Sequence, residues 1–317
     1  MRTLIMGGAG FVGRRVAHLL SRTGRNICVV DVRPSHVFCL PAGVAYCNVA
    51  GAGDYGFGSP GLCGDFDEIV DLVYTSVPQT SYEDPVKDIC ENLPRFVRLL
   101  QFAAERCKSR FVFLSSGGTV YGQAKFLPIT EDHPLEPLSP YGITKLSTEK
   151  YAAMYGLQRG IPIICLRPAN VYGEGQMPFR GQGFVATAIG AVLTGRPITI
   201  FGPSGSVRDY IHVEDAARAV LAALEKGVPG TAYNVGTGCG LNNAQVLTLL
   251  EKNLPTAYSM PPIQYLPERM FDVRENILDC TRLRSDTGWK AGIPFEEGLK
   301  LSFSWLERNF YGKSEVR

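Results

Sequence analysis

Tyr141 and Lys145 stand four residues apart in the run Tyr141-Gly142-Ile143-Thr144-Lys145. On a helix that spacing sets a phenol and an ammonium on one face, one turn apart. A tyrosine with a pKa of about 10 is a poor base near neutrality, but a nearby cation favours its phenolate. Such a phenolate can take the proton of an alcohol or sugar hydroxyl while a nicotinamide takes the hydride. Lys145 would also bond the nicotinamide ribose. Near the start of the chain, Gly7-Gly8-Ala9-Gly10-Phe11-Val12-Gly13 contains Gly8-x-Gly10-x-x-Gly13. After a strand and at the start of a helix, those glycines permit a tight turn and let backbone N–H groups reach a dinucleotide pyrophosphate. Each pattern alone is weak, since Tyr-x-x-x-Lys is common on surfaces and the glycines also suit an ordinary strand–helix turn. Their order and separation, with Asp31 added, make them specific. A carboxylate about 20 residues beyond the glycines accepts bonds from the adenosine ribose 2′-OH and repels a 2′-phosphate, which favours NAD over NADP. Arg33 is the residue that would soften that preference.

The elements that must position these groups follow from periodicity. Thr3–Met6 and Asn26–Val30 read as apolar strands around an amphipathic helix from about Phe11 to Arg22. Glu68–Val73 and Arg110–Leu114 read as further strands, with a helix over Asn92–Arg106 between them. Tyr141–Tyr155 reads as helix and Pro162–Leu166 as strand. Alternating strands and helices predict an α/β fold of the Rossmann type, a doubly wound parallel sheet. Beyond Arg167, Gly- and Pro-rich stretches separate shorter elements, which predicts a smaller C-terminal substrate-binding lobe. The division expected is 1–166 for the cofactor, with 211–235 returning to it, and mainly 167–317 for the substrate.

Bulk properties narrow the classes. The chain has 317 residues, 45% hydrophobic, with a formal net charge of +2 and no basic block, so nothing marks it for nucleic acid or an anionic membrane surface. No run approaches the roughly 18 apolar residues of a membrane span. Met1 leads straight into an apolar strand, without the regions of a signal peptide. Nine scattered cysteines without C-x-x-C spacing are expected as reduced thiols of a cytoplasmic protein. Four histidines, none at ligand spacing, give no expectation of a metal.

With further motifs in order, the chain resembles the extended short-chain dehydrogenase/reductase family, in particular its NAD-dependent nucleotide-sugar epimerase/dehydratase branch. The motifs are Asn92, Ser115-Ser116-Gly117-Gly118-Thr119-Val120-Tyr121-Gly122, Leu166-Arg167-Pro168-Ala169-Asn170-Val171-Tyr172-Gly173, Val207-Arg208-Asp209-Tyr210-Ile211-His212-Val213, Tyr233-Asn234-Val235-Gly236 and Arg269-x-x-Asp272. The resemblance runs from Met1 to about Trp305. It implies Tyr141 as base and cofactor contacts from Asn48, Val49, Asn92 and Ser115 besides the residues above. Asn170, Arg208 and Arg269 match positions that hold the nucleotide diphosphate, where an arginine pair can fork onto two phosphates, and Asp272 is a further expected substrate-binding residue. It further implies a UDP-hexose 4-epimerase type of activity with firmly held NAD, in a cytoplasmic homodimer. A nucleotide-sugar reductase or dehydrogenase, or a UDP-uronic acid epimerase, is the alternative within the family. The intact Tyr141/Lys145 pair argues against a non-catalytic NAD-binding protein.

Departures from the pattern are informative. The usual Ser or Thr of the triad is Gly117, so Ser116 or Thr119 must supply the hydroxyl, with Ser116 preferred. The carboxylate pair of the 4,6-dehydratases is replaced by Gly118 and Thr119. Asp71 stands where His is frequent, and Val73 and Tyr74 where small residues are usual. Asn276, counted from Arg269, falls where an aromatic often flanks the hexose. An asparagine there would leave space and an amide partner for an N-acetyl group, unless Met270 or Phe271 fills the gap.

Overall fold

The first apolar run forms β1 (Arg2–Met6), the glycine loop follows, and α1 (Phe11–Ser21) leads to β2 (Asn26–Asp31). The computed structural model describes residues 1–34, 40–49, 62–269 and 273–311. After β3 (Ala45–Asn48) and β4 (Phe66–Asp71) come α2 (Pro78–Glu83), α3 (Pro85–Arg106), β5 (Cys107–Leu114), α4 (Pro140–Arg159) and β6 (Ile163–Pro168). The remainder runs β7 (Asn170–Tyr172), α5 (Phe184–Thr194), β8 (Ile198–Phe201), β9 (Val207–His212), α6 (Val213–Lys226) and β10 (Ala232–Val235). It closes with β11 (Gly240–Leu241), α7 (Asn243–Lys252), β12 (Ile263–Leu266), β13 (Glu275–Asn276), α8 (Thr281–Thr287), α9 (Phe295–Leu306) and a π-helical turn at Glu307–Tyr311.

Among the described residues a seven-stranded parallel sheet has the order β10-β6-β5-β4-β1-β2-β3. Its inner strands are buried on both faces, which is why Leu4-Ile5-Met6 and Ile27–Val30 are continuous apolar runs. Alternate residues serve the two faces. Ile5, Val29, Val70, Val112 and Ile164 pack with Val16 and Leu20 of α1 and Val220 and Ala223 of α6. Leu4, Met6, Ile69, Phe111 and Phe113 pack with Phe96, Leu99 and Leu100 of α3 and Ala152 of α4. Between β1 and β4 the strand order reverses, and the crevice at the strands' carboxyl ends there is where such sheets bind ligands.

A third core joins α5, α7 and α9 through Val185, Ile189, Val246, Leu250, Leu299 and Phe303. Beside it β9 pairs with β7, β11 and β13, and β8 pairs with β12. No helix among the described residues is long and apolar enough to cross a membrane.

The helix expected from Asn92 begins at Pro85, seven residues earlier, and carries Pro94 inside it. Asp84 caps it by accepting from the Lys87 N–H, and its buried face outweighs the proline penalty. The edge strand β3 escapes the periodicity, because its residues are only partly buried and carry no alternating apolar signal. The strand expected at Glu68–Val73 is Phe66–Asp71, so Leu72, Val73 and Tyr74 belong to the loop over the crevice.

Candidate active site

The glycine loop is shaped to admit a backbone-bound anion and nothing bulkier. Gly7 has φ +77°, and a Cβ on Gly13 would lie 2.1 Å from the Gly7 carbonyl oxygen. Gly10 is the α1 N-cap and supplies no side-chain cap, so the first amides of the helix, at Phe11 and Val12, keep their donors for a ligand. Asp31 ends β2 under the loop: its Oδ2 accepts from the Ala9 N–H at 3.0 Å and its Oδ1 from the Arg33 N–H at 3.1 Å. Arg33 folds back to donate from Nη1 to the Ala9 carbonyl at 2.6 Å. The guanidinium is thereby committed to the loop. These features fit a dinucleotide with a free ribose 2′-OH.

Three motif residues expected to touch the cofactor have their side chains spent elsewhere. Asn92 is buried in α3, where Oδ1 accepts from the Thr75 N–H at 2.9 Å and Nδ2 donates to the Asp88 carbonyl at 2.8 Å. It ties down the loop after β4. Ser115 donates its hydroxyl to Glu149. Asn48 donates to the carbonyls of Arg33 at 2.8 Å and Asp31 at 3.2 Å, and the Val49 N–H bonds the Asp31 carbonyl at 3.1 Å. These bonds hold β3 to the end of β2, behind Asp31.

Tyr141 and Lys145 lie in the first two turns of α4, whose N-cap Ser139 accepts from the Gly142 N–H at 3.1 Å. The Ser116 side chain stands beside the Tyr141 phenol, and the Tyr141 backbone N–H bonds Ser81 Oγ at 3.2 Å. Burial first, and then the Asp88 carboxylate, push the phenol above the ordinary tyrosine range, while the Ser116 side chain opposes them. Lys145 Nζ donates to the Leu114 carbonyl at 2.8 Å and is 5.8 Å from the Tyr141 ring centroid. Burial pushes its pKa down to about 8. In the chain itself burial dominates both groups, raising the phenol and lowering the ammonium. Of the two candidate hydroxyls, Ser116 is the one that acts on the Tyr141 phenol, lowering it, and Thr119 Oγ1 is buried without a hydrogen-bond partner.

The profile of the NAD dependent epimerase/dehydratase family matches residues 3–236. The UDP-glucose 4-epimerase of Mycolicibacterium smegmatis is 32% identical over 305 residues, covering 94% of this chain and 96% of the relative. The chain belongs to the NAD-dependent epimerase/dehydratase family. Among solved structures, the UDP-glucose 4-epimerase of Thermotoga maritima with UDP-glucose is similar at TM-score 0.88 and 33% identity, covering the whole of both chains. That of Thermus thermophilus in complex with NAD is similar at TM-score 0.87 and 30% identity, covering 98% of this chain and 100% of the other.

Within this family the departures now have structural reasons. A Cβ on Gly117 would meet Leu278 Cδ1 at 2.6 Å and the Arg167 carbonyl oxygen at 2.7 Å, so the usual Ser or Thr has no room. A Cβ on Gly118 would meet Asn170 Oδ1 at 3.3 Å, placing Asn170 beside the Ser116 loop. Asn276 is also here: only 1% exposed, it donates from Nδ2 to the Gly117 carbonyl at 2.9 Å, and its Oδ1 has no partner. Arg208 pairs through its backbone with Asn276 and donates to the Val207 carbonyl at 2.9 Å. Arg269 stacks its guanidinium 4.1 Å above the Phe201 ring. Asp272 lies outside the described residues, as do Met270 and Phe271.

Several neighbours of the pair were not read as site residues. Asp88 accepts the hydroxyls of Thr144, at 2.6 Å, and of Ser76. Arg95 forks onto Asp71 through two 2.8 Å bonds beneath Lys145. The sequence marks Asp71 and Tyr74 only as unusual, and Asp88 not at all. Cofactor choice is testable here. Because Asp31 is fixed under the loop and Arg33 is turned onto Ala9, the cofactor-stripped protein should bind NAD at least about tenfold more tightly than NADP in calorimetry. Equal dissociation constants would show that Arg33 leaves the loop to meet the 2′-phosphate.

Proposed function

We propose that the chain interconverts the C4 epimers of a UDP-hexose, with Tyr141 as the base and Ser116 as the hydroxyl beside it. The observation that carries this reading is the Lys145 ammonium 5.8 Å from the Tyr141 ring centroid in a chain whose glycine loop leaves the α1 N-terminus uncapped, with Ser116 beside the phenol. Tyr141 takes the proton of the sugar 4-OH and returns it when the opposite epimer forms. Ser116 bonds the same oxygen and orients it toward the phenol. Asn170, Arg208 and Arg269 hold the diphosphate, and Gly118 leaves the wall without the carboxylates that would eliminate water. Bound NAD supplies the acceptor and donor of the C4 hydride, leaving net redox at zero, and a positive nicotinamide that favours phenolate.

Residues 1–166, with 211–235, form the cofactor side of this arrangement, and 167–317 mainly the nucleotide-sugar side. We place the enzyme in the cytoplasm as a homodimer. Support comes from the disulfide-free thiols of Cys90, Cys107, Cys165, Cys239 and Cys280. It comes also from exposed Ile89 on α3 and Ile143 and Leu157 on α4, two helices packed side by side.

For the sugar, the expected gap at Asn276 is replaced by a buried, fixed amide whose free oxygen is an acceptor. An N-acetyl N–H at C2 would satisfy it once substrate binding opens the cover over Asn276. The test is a panel of UDP-glucose, UDP-N-acetylglucosamine and UDP-glucuronic acid, incubated without added cofactor and followed by NMR. UDP-galactose from UDP-glucose and UDP-N-acetylgalactosamine from the acetylated sugar are expected. Asn276→Tyr should suppress the second conversion about tenfold more than the first, because a clash costs the larger sugar. A product changed in redox state, or no conversion of any of the three, would overturn the epimerase reading. Conversion of UDP-glucose alone would overturn the role of Asn276.

A further inference from the structure

Tyr74 touches both members of the catalytic pair. The Lys145 ammonium lies 4.0 Å from the centre of the Tyr74 ring, nearer than the 5.8 Å to Tyr141. The Tyr74 ring packs edge-on against Tyr141 at 4.8 Å between centroids. At its far end the Tyr74 hydroxyl donates to Asp88 Oδ2 at 3.5 Å, and Asp88 is itself held by Thr144 and Ser76. A side chain from the loop after β4 is thus pinned by a carboxylate on α3 and laid against two residues of α4.

Resting on the reading of Tyr141 as base, we infer that Tyr74 is a positioning residue that keeps the Lys145 ammonium charged and in place beside Tyr141, with Asp88 anchoring the ring through its hydroxyl. The face of an aromatic ring carries negative potential and attracts a cation, most strongly where water is excluded. Lys145 is such a cation. Besides the two tyrosines it is faced by Asp71 from β4, Arg95 from α3, Cys165 from β6 and Glu149 from its own helix. Asp71 shares its charge with Arg95, and Glu149 shares its own with Arg167, so both carboxylates are already matched. The ring face, 4.0 Å away, adds a stabiliser of the ammonium that burial otherwise disfavours. The hydroxyl matters differently: it directs the ring by bonding Asp88 and leaves the cation–ring contact to the π face.

The two contributions separate in two variants of the full chain. Tyr74→Leu removes the ring face, and Tyr74→Phe keeps it while cutting the bond to Asp88. The titration of Lys145 Nζ, followed by 15N NMR, reads the ammonium directly. In Tyr74→Leu its midpoint should fall by about half a unit to one unit, and in Tyr74→Phe it should stay at the wild-type value. Turnover should follow the same order. Lysine loses its proton as pH rises through its pKa, so a lower pKa moves the alkaline loss of activity to lower pH, in Tyr74→Leu but not in Tyr74→Phe. Tyr74→Met, which refills the space flexibly, serves where the leucine variant does not fold. A lysine midpoint unchanged in the ring-less variant overturns the inference. If the lysine shifts as stated while the wild type converts no UDP-hexose, the ring's hold on Lys145 stands and the catalytic reading falls.

Discussion

Replacing Tyr141 by Phe should lower epimerase turnover at least about 100-fold, the scale of losing a general base. The substitution is conservative for the fold, because the ring keeps its edge-on contact with Tyr74 and only the oxygen disappears. NAD binding should hardly change, since the glycine loop and Asp31 are built from β1, α1 and β2 and share no hydrogen bond with Tyr141. Steady-state turnover with UDP-hexose and calorimetry with NAD test the two halves separately. More than about a tenth of wild-type activity in Tyr141→Phe would remove Tyr141 from the role of base.

The largest loss of stability is expected at Arg167. Its guanidinium is buried and forks onto Glu149, with Nε at 3.0 Å from Oε1 and Nη2 at 2.7 Å from Oε2. Nη1 donates to the Tyr121 hydroxyl at 2.9 Å, which in turn donates to Asn234 on β10 at 2.6 Å. This network lies below the Ser115–Ser116 loop and joins β6, α4 and β10. In Arg167→Leu the Glu149 carboxylate would remain in the interior with the Ser115 hydroxyl and without the guanidinium it forks onto. Removing one partner of a buried pair costs about 3–5 kcal/mol, a fall in melting temperature on the order of 10 °C. The double variant Arg167→Leu, Glu149→Leu should recover more than half of that loss, because no charge is then stranded. Calorimetric melting decides it; a single variant that melts within about 2 °C of wild type would show that water reaches Glu149.

How legible the molecule was depends on where each partner came from. The opening strand, glycine loop and helix could be read because each carries its cause locally: continuous apolar residues for a doubly covered strand, and glycines where a side chain meets backbone. Tyr141 and Lys145 were equally legible, since four residues on a helix set their common face. The edge strand Ala45–Asn48 was not, because half-exposed edge residues leave no pattern. Asn92, Ser115 and Asn48 were matched to cofactor positions by motif, yet their polar atoms are satisfied within the protein. A motif gives residue type and order, whereas a hydrogen bond depends on which atoms the fold brings within about 3 Å.

From the sequence alone come the sheet class, the dinucleotide fingerprint with its acidic residue, and the phenol–ammonium pair, all consequences of local spacing. Tertiary structure decided the electrostatics of that pair. Tyr74 comes to Lys145 from 71 positions away and Asp88 to Thr144 from 56 positions away, each on a different element. It also decided that Gly117 can carry no hydroxyl, because Leu278 and the Arg167 carbonyl occupy the space. Burial raises Tyr141 and lowers Lys145, and desolvation depends on the whole surrounding volume, which no spacing along the chain encodes.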